Sequence, residues 1–146
     1  MADWTTFFGH WESWAYGGLV LTTVGSAYLS GRRSLTIGAA YLAAGWVASI
    51  LIYLFSQGAT SSAPLFLMLD AVLALLFFNL ARNAAWAGYV FIVHVSMAAL
   101  HFKAFVLPEH GLAYAWALNA AFLIACGIVI SESVSTRLIR RTETAS

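Results

Sequence analysis

Asp70, His94, His101 and Asn119 are the residues whose chemistry is out of keeping with their surroundings. Each sits inside a long apolar run. A charged group at the centre of such a run costs at least ~2.5 kcal/mol in a bilayer, so groups of this kind turn inward and find partners. Asp and His together can hold a proton or a cation, because histidine titrates near neutral pH. They can equally form a plain hydrogen-bonded clasp between helices. Asp and His ligands also suit a borderline divalent metal, but these spacings match no metal site. Haem on His94 or His101 would need Met68 as its second axial ligand, because no other span carries a histidine. No haem, metal or other cofactor is therefore expected, and no catalytic motif is present.

Counting along the chain shows which of these residues can meet. Asp70 lies six residues inside one end of its run, His101 five and Asn119 six, which is about 8–9 Å of depth at ~1.5 Å per residue. In three consecutive antiparallel helices these three fall at one level. His94 precedes His101 by seven residues and shares its face about two turns deeper. Ala98, between them, leaves room for a facing side chain. His10, Glu12, Glu109 and His110 lie on the same outer side and could line an approach to the cluster.

The elements that must position these residues are five apolar runs: Trp14–Ser30, Leu35–Ser56, Pro64–Ala81, Trp86–Val106 and Leu112–Ile130. Each is close to the ~20 residues with which a helix crosses ~30 Å of hydrocarbon. None alternates with period two, which leaves helices rather than a barrel. Only 9% of the 146 residues are charged, against about a quarter in a soluble domain. The expected fold is an all-α bundle of five transmembrane helices forming a single domain over residues 1–146. Residues 1–13 form an interfacial segment and residues 131–146 a basic cytoplasmic tail.

Charge placement orients the bundle. Arg32, Arg33, Arg82, Arg137, Arg140 and Arg141 share one side of a five-span chain, and only Lys103 falls on the other. The arginine side is cytoplasmic by the positive-inside rule, which puts the N-terminus outside. The first run lacks a basic N-terminal flank and is followed by Arg32–Arg33, the charge order of an uncleaved anchor rather than a signal peptide. Trp14, Tyr16, Tyr53, Tyr114 and Trp116 should mark the outer interface, and Tyr28, Trp86 and Tyr89 the inner one. Ser62 and Pro64 mark the start of the third helix by capping and by proline tolerance in a first turn. Cys126, the single cysteine, reads as small apolar packing. A formal net charge of +1 argues against nucleic acid as a partner.

Ala113, Ala117, Ala121 and Ala125 repeat every four residues on the fifth helix, as Ala40, Ala44 and Ala48 do on the second. Small side chains let helices approach closely in lipid, so the stripe is either a seam for another subunit or a second copy, or packing within the bundle. The runs LDAVLALLFFNLARN, VHVSMAALHF and YAWALNAAF resemble uncharacterised small polytopic membrane proteins of bacterial and prophage genomes. That resemblance implies a bacterial cytoplasmic (inner) membrane. The functional expectation is a non-enzymatic accessory subunit or binding module of a larger membrane complex. The alternatives are a small proton or cation transporter or channel built on the Asp–His–Asn cluster, and a holin-like pore former.

Overall fold

The computed structural model describes residues 11–56, 62–107 and 112–145. They form five helices: α1 (Trp11–Ser30), α2 (Arg33–Phe55), α3 (Ala63–Ala81), α4 (Ala85–Val106) and α5 (Leu112–Ala145). Among the described residues, α2, α3, α4 and residues 113–144 of α5 are long and apolar enough to cross a membrane, so the chain is an all-helical membrane protein. At 20 residues α1 is also long enough, at about 30 Å, but Thr22, Thr23, Ser26 and Ser30 make it less apolar. Those hydroxyls cost little in place. Thr22 donates to the Gly18 carbonyl, Thr23 to Leu19, Ser26 to Thr23 and Ser30 to Ala27, the back-bonding by which short polar side chains satisfy themselves inside a helix. The interfacial segment expected over 1–13 lies outside the described residues, save that α1 begins at Trp11.

Short connections make sequential helices neighbours, and α5 closes the ring by packing on α1 as well as α4. The helix of the fifth run does not stop at Ile130. It continues through the arginine-rich tail to Ala145, 34 residues in all, or about 51 Å at ~1.5 Å per residue. That extension docks on the α1–α2 turn. Arg32 bonds Glu132 at 2.7 Å and Thr136 at 3.3 Å, while Arg140 donates to the Ser30 carbonyl at 2.8 Å. A cation on the last carbonyls of α1 answers both the unsatisfied acceptors and the negative end of the helix dipole. Gly31, at φ +67°, makes the turn. A Cβ there would sit 2.6 Å from Arg140 Nη1, so glycine serves both the left-handed backbone and the arginine's approach.

The packed core occupies the arginine-bearing half of the bundle. Phe77, Leu35, Leu42, Val90 and Val129 are almost wholly buried there, with Ala27, Ala125 and Cys126 between them. Trp86 belongs to this core and not to the interface: it is 4% exposed and packs edge-on against Phe77. It fits because Gly38 presents no side chain. A Cβ on Gly38 would overlap the indole. Tyr28, Tyr53, Tyr89, Trp14 and Trp116 are exposed on the surface of the bundle.

Gly38→Ala is therefore expected to destabilise the bundle by about 1–3 kcal/mol through overpacking against a fixed indole. Gly127→Ala, where the added methyl meets nothing within 4 Å, should match the parent or exceed it slightly. Thermal unfolding of both variants in the same mild detergent measures the difference. Equal melting would show that Trp86 is free to move.

Candidate functional site

One face of α3 and one face of α4 build the site. On α3, Phe66, Asp70 and Phe77 recur at one-turn and two-turn spacing, and on α4 His101 and His94 stand two turns apart. Because the helices are antiparallel, Asp70 comes to lie between the two histidines. Its Oδ1 accepts from His94 Nδ1 at 2.9 Å, and its Oδ2 pairs with His101 Nε2 at 3.1 Å. All three side chains are buried: Asp70 and His101 are 4% exposed and His94 2%. No water shell compensates a carboxylate at that burial, so the imidazoles must. The same helix that supplies the carboxylate also supplies their stacking partners. Phe77 lies parallel to His94 at 5.5 Å between centroids and Phe66 to His101 at 5.4 Å.

Asp70 and His101 meet at the shared level, and His94, two turns deeper, joins them because side chains lean along the helix axis to reach one carboxylate. Asn119 does not join. It lines the same cavity but is exposed and makes no hydrogen bond to the cluster. Tyr114, five residues earlier on α5, takes that place: its hydroxyl and His101 Nδ1 lie 2.5 Å apart. Its place near one end of an apolar run marks Tyr114 in the sequence as an interface aromatic. Its position near the helix start fits that reading, but a phenol long enough to reach the His101 level equally fits a site. The result is a continuous chain, Tyr114–His101–Asp70–His94. It ends at His94 Nε2, which is buried without a hydrogen-bond partner.

Above the cluster lies a cavity of about 560 Å³, within the ~300–1,000 Å³ of small-molecule sites. Tyr16 near the start of α1, Ser49 near the end of α2, Ser62 just before α3 and Tyr114 near the start of α5 all line it, so it opens at the end opposite the arginines. Ser62 does not cap α3 with its hydroxyl; only its carbonyl accepts, from Leu65 and Phe66. Gly45 lets α2 close on α3 beside the cavity, where a Cβ would press on Leu73 at 2.7 Å. The floor is sealed by the core, with Leu42 and Leu73 lining its lower part and Phe77 behind His94.

The remaining candidates are placed as follows. Ala125 is fully buried in the core beside Cys126, Ala117 and Ala121 are half-buried, and Ala113 is exposed. The Ala125 end of the stripe is therefore packing within the bundle. His10, Glu109 and His110 lie outside the described residues, and Glu12 falls in the first turn of α1. Met68 is exposed on the far side of α3, away from both imidazoles. The two imidazole nitrogens aim at different carboxylate oxygens rather than at a common point, and among the described residues no His, Cys, Asp or Glu group is arranged to hold a metal ion. Compared with known protein families, curated proteins and solved structures, the chain matches none.

Replacing Asp70 with Leu strands two buried imidazole nitrogens and is expected to cost on the order of 1–3 kcal/mol. Asp70→Asn keeps an acceptor of the same shape and should lose less. Tyr114→Phe, which removes the partner of His101 Nδ1, should cost about 1 kcal/mol. The ranking Leu, then Asn, then Phe is read from melting in detergent. A Tyr114→Phe loss as large as that of Asp70→Leu would show that the phenol, not the carboxylate, organises the cluster.

Proposed function

We propose that the chain is a non-enzymatic binding module of a bacterial cytoplasmic membrane. It spans that membrane five times with its N-terminus outside, and it holds a small molecule in the cavity between its outer helix ends as part of a larger membrane complex. One observation carries this reading: a cavity of ligand size, open at one end, has its buried polar residues gathered at its floor and a close-packed core beneath them. A cavity closed at the bottom receives and retains; it does not conduct. The orientation rests on the three arginine-bearing segments, two of which touch each other through Arg32–Glu132 and Arg140–Ser30. α1 joins as a fifth span because its hydroxyls are satisfied by its own backbone. The exposed outer end of the alanine stripe, at Ala113, is available to a neighbouring helix.

Proton transfer is the second reading, favoured by the unbroken chain from Tyr114 to His94. It lacks a continuation. Past His94 stand its stacking partner Phe77 and the apolar core, and neither carries a proton onward.

Reporter fusions after Ser34, Ala84 and Ser146 are expected to read cytoplasmic, and fusions at Ser61 and Glu109 external. In a Cys126→Ala background, Ser49→Cys and Asn119→Cys should react with a membrane-impermeant thiol reagent added from outside. A cytoplasmic reading at Ser61 would overturn the five-span orientation. Failure of both cysteines to react from outside would overturn the outward cavity.

A further inference from the structure

The cavity walls and floor differ in a way that selects a ligand. Tyr16, Trp46, Phe66, Tyr114 and Phe122, from four different helices, give the walls aromatic rings. Ring faces carry negative charge density and attract cations, more strongly where water is excluded. Among the described residues, no Lys or Arg lines the cavity, and Asp70 is the only carboxylate that does. The floor thus offers a negative group beneath aromatic walls, with nothing to hold an anion. At the floor, both oxygens of Asp70 are taken by imidazoles and the Tyr114 hydroxyl is engaged with His101, so the hydrogen-bonding groups left to a ligand are those of the wall, such as Ser62 and Asn119.

Charge balance adds the second half. A carboxylate buried in this bundle must be neutralised, and the titratable groups facing it are His94 and His101 from α4 and Tyr114 from α5. Among the described lining residues, α1 adds only Tyr16 and α2 no titratable group. One proton on the Asp70–imidazole set therefore makes the empty site neutral. A monocation arriving above Asp70 supplies the same charge and makes that proton redundant.

We propose that the cavity binds a lipophilic organic cation, a hydrophobic amine or a quaternary onium ion, in exchange for one proton released from the Asp70–His94–His101 cluster to the outer side. The exchange balances. One positive charge enters and one leaves, the carboxylate stays ionised, and both imidazoles finish neutral while still donating one N–H each to Asp70. This inference rests on the cavity being a binding site open to the outside, and it names what the site takes. Proton and cation compete for one charge, so affinity must rise with pH while the site still holds its proton, and the linkage is reciprocal.

The test uses the full chain in lipid nanodiscs and tetraphenylphosphonium as the probe, read by tryptophan fluorescence and calorimetry between pH 6 and 8.5. Tetraphenylborate, of matching shape and opposite charge, is the control. The expected result is saturable one-to-one binding of the cation, tightening by up to tenfold per pH unit, with about one proton released in weak buffer. The anion should bind at least 30-fold more weakly. Asp70→Asn should remove the pH dependence and lower affinity at least 30-fold. Trp46→Leu, away from the cluster, should weaken binding severalfold and keep the pH slope, so the inference stays testable if Asp70→Asn folds poorly. No saturable cation binding, equal binding of the anion, or affinity independent of pH would overturn it. If Ser49→Cys or Asn119→Cys still reacts from outside in that case, the cavity reading stands and only the ligand class falls. If neither reacts, both fall.

Discussion

A carboxylate in a bilayer cannot stand alone, and the architecture around Asp70 follows from that constraint. Born solvation sets a penalty of several kcal/mol for an ion left without partners in such surroundings. Two imidazoles two turns apart on α4 meet it, one for each oxygen. Their separation fixes the axial register of α3 against α4, since a shift of either helix by one turn would leave one oxygen unpaired. Phe66 and Phe77 then hold the two rings flat. Hydrophobic packing cannot impose register of this kind, because lipid and helix surfaces are equally apolar.

The bundle divides into a half that is filled and a half that is open. In the filled half, Gly38 admits Trp86 and the small side chains of Ala27, Ala125 and Cys126 bring α1 and α5 together. At the end of that half α5 overshoots the membrane and returns its charge to the α1–α2 turn. Arg32 and Glu132 are both more than a third exposed, so their pairing contributes about 1 kcal/mol or less. Arg140 on the Ser30 carbonyl is worth more to the fold, because it caps the last carbonyl of α1 with a charged donor. In the open half, larger rings stand off from one another and leave the cavity. A rigid lower half lets the upper half stay hollow.

α1 illustrates how polarity is tolerated here. Four hydroxyls on a single helix would be expensive in hydrocarbon, yet each is absorbed by a carbonyl three or four residues back. Thr23, Ser26 and Ser30 are buried against the rest of the bundle and need no partner from another helix. α1 therefore joins mainly by shape, with Thr23 also hydrogen-bonded to the buried Cys126 thiol of α5 and Arg140 on the Ser30 carbonyl; the Asp70–imidazole network lies beneath the cavity.

Sequence alone determined where the helices run and how deep each residue lies. Residue counts against a fixed rise of ~1.5 Å brought Asp70 level with His101, and the apolar runs matched the helices to within about three residues except where α5 continued past Ile130. It could not determine which way each helix faces. In water an amphipathic stripe shows the buried side, but in lipid both sides of a helix are apolar and the stripe vanishes. Hence Tyr114 and Trp86 read as interface residues though one lines the cavity and the other is core. Asn119 shares the right depth but not the contact, and His94, on the same face as His101, stands two turns too deep for residue counting to bring it to the same carboxylate. Depth is a property of the chain's length in a slab of known thickness. Rotation about the helix axis is decided only by what the neighbouring helices bring to meet it, and that belongs to the tertiary structure.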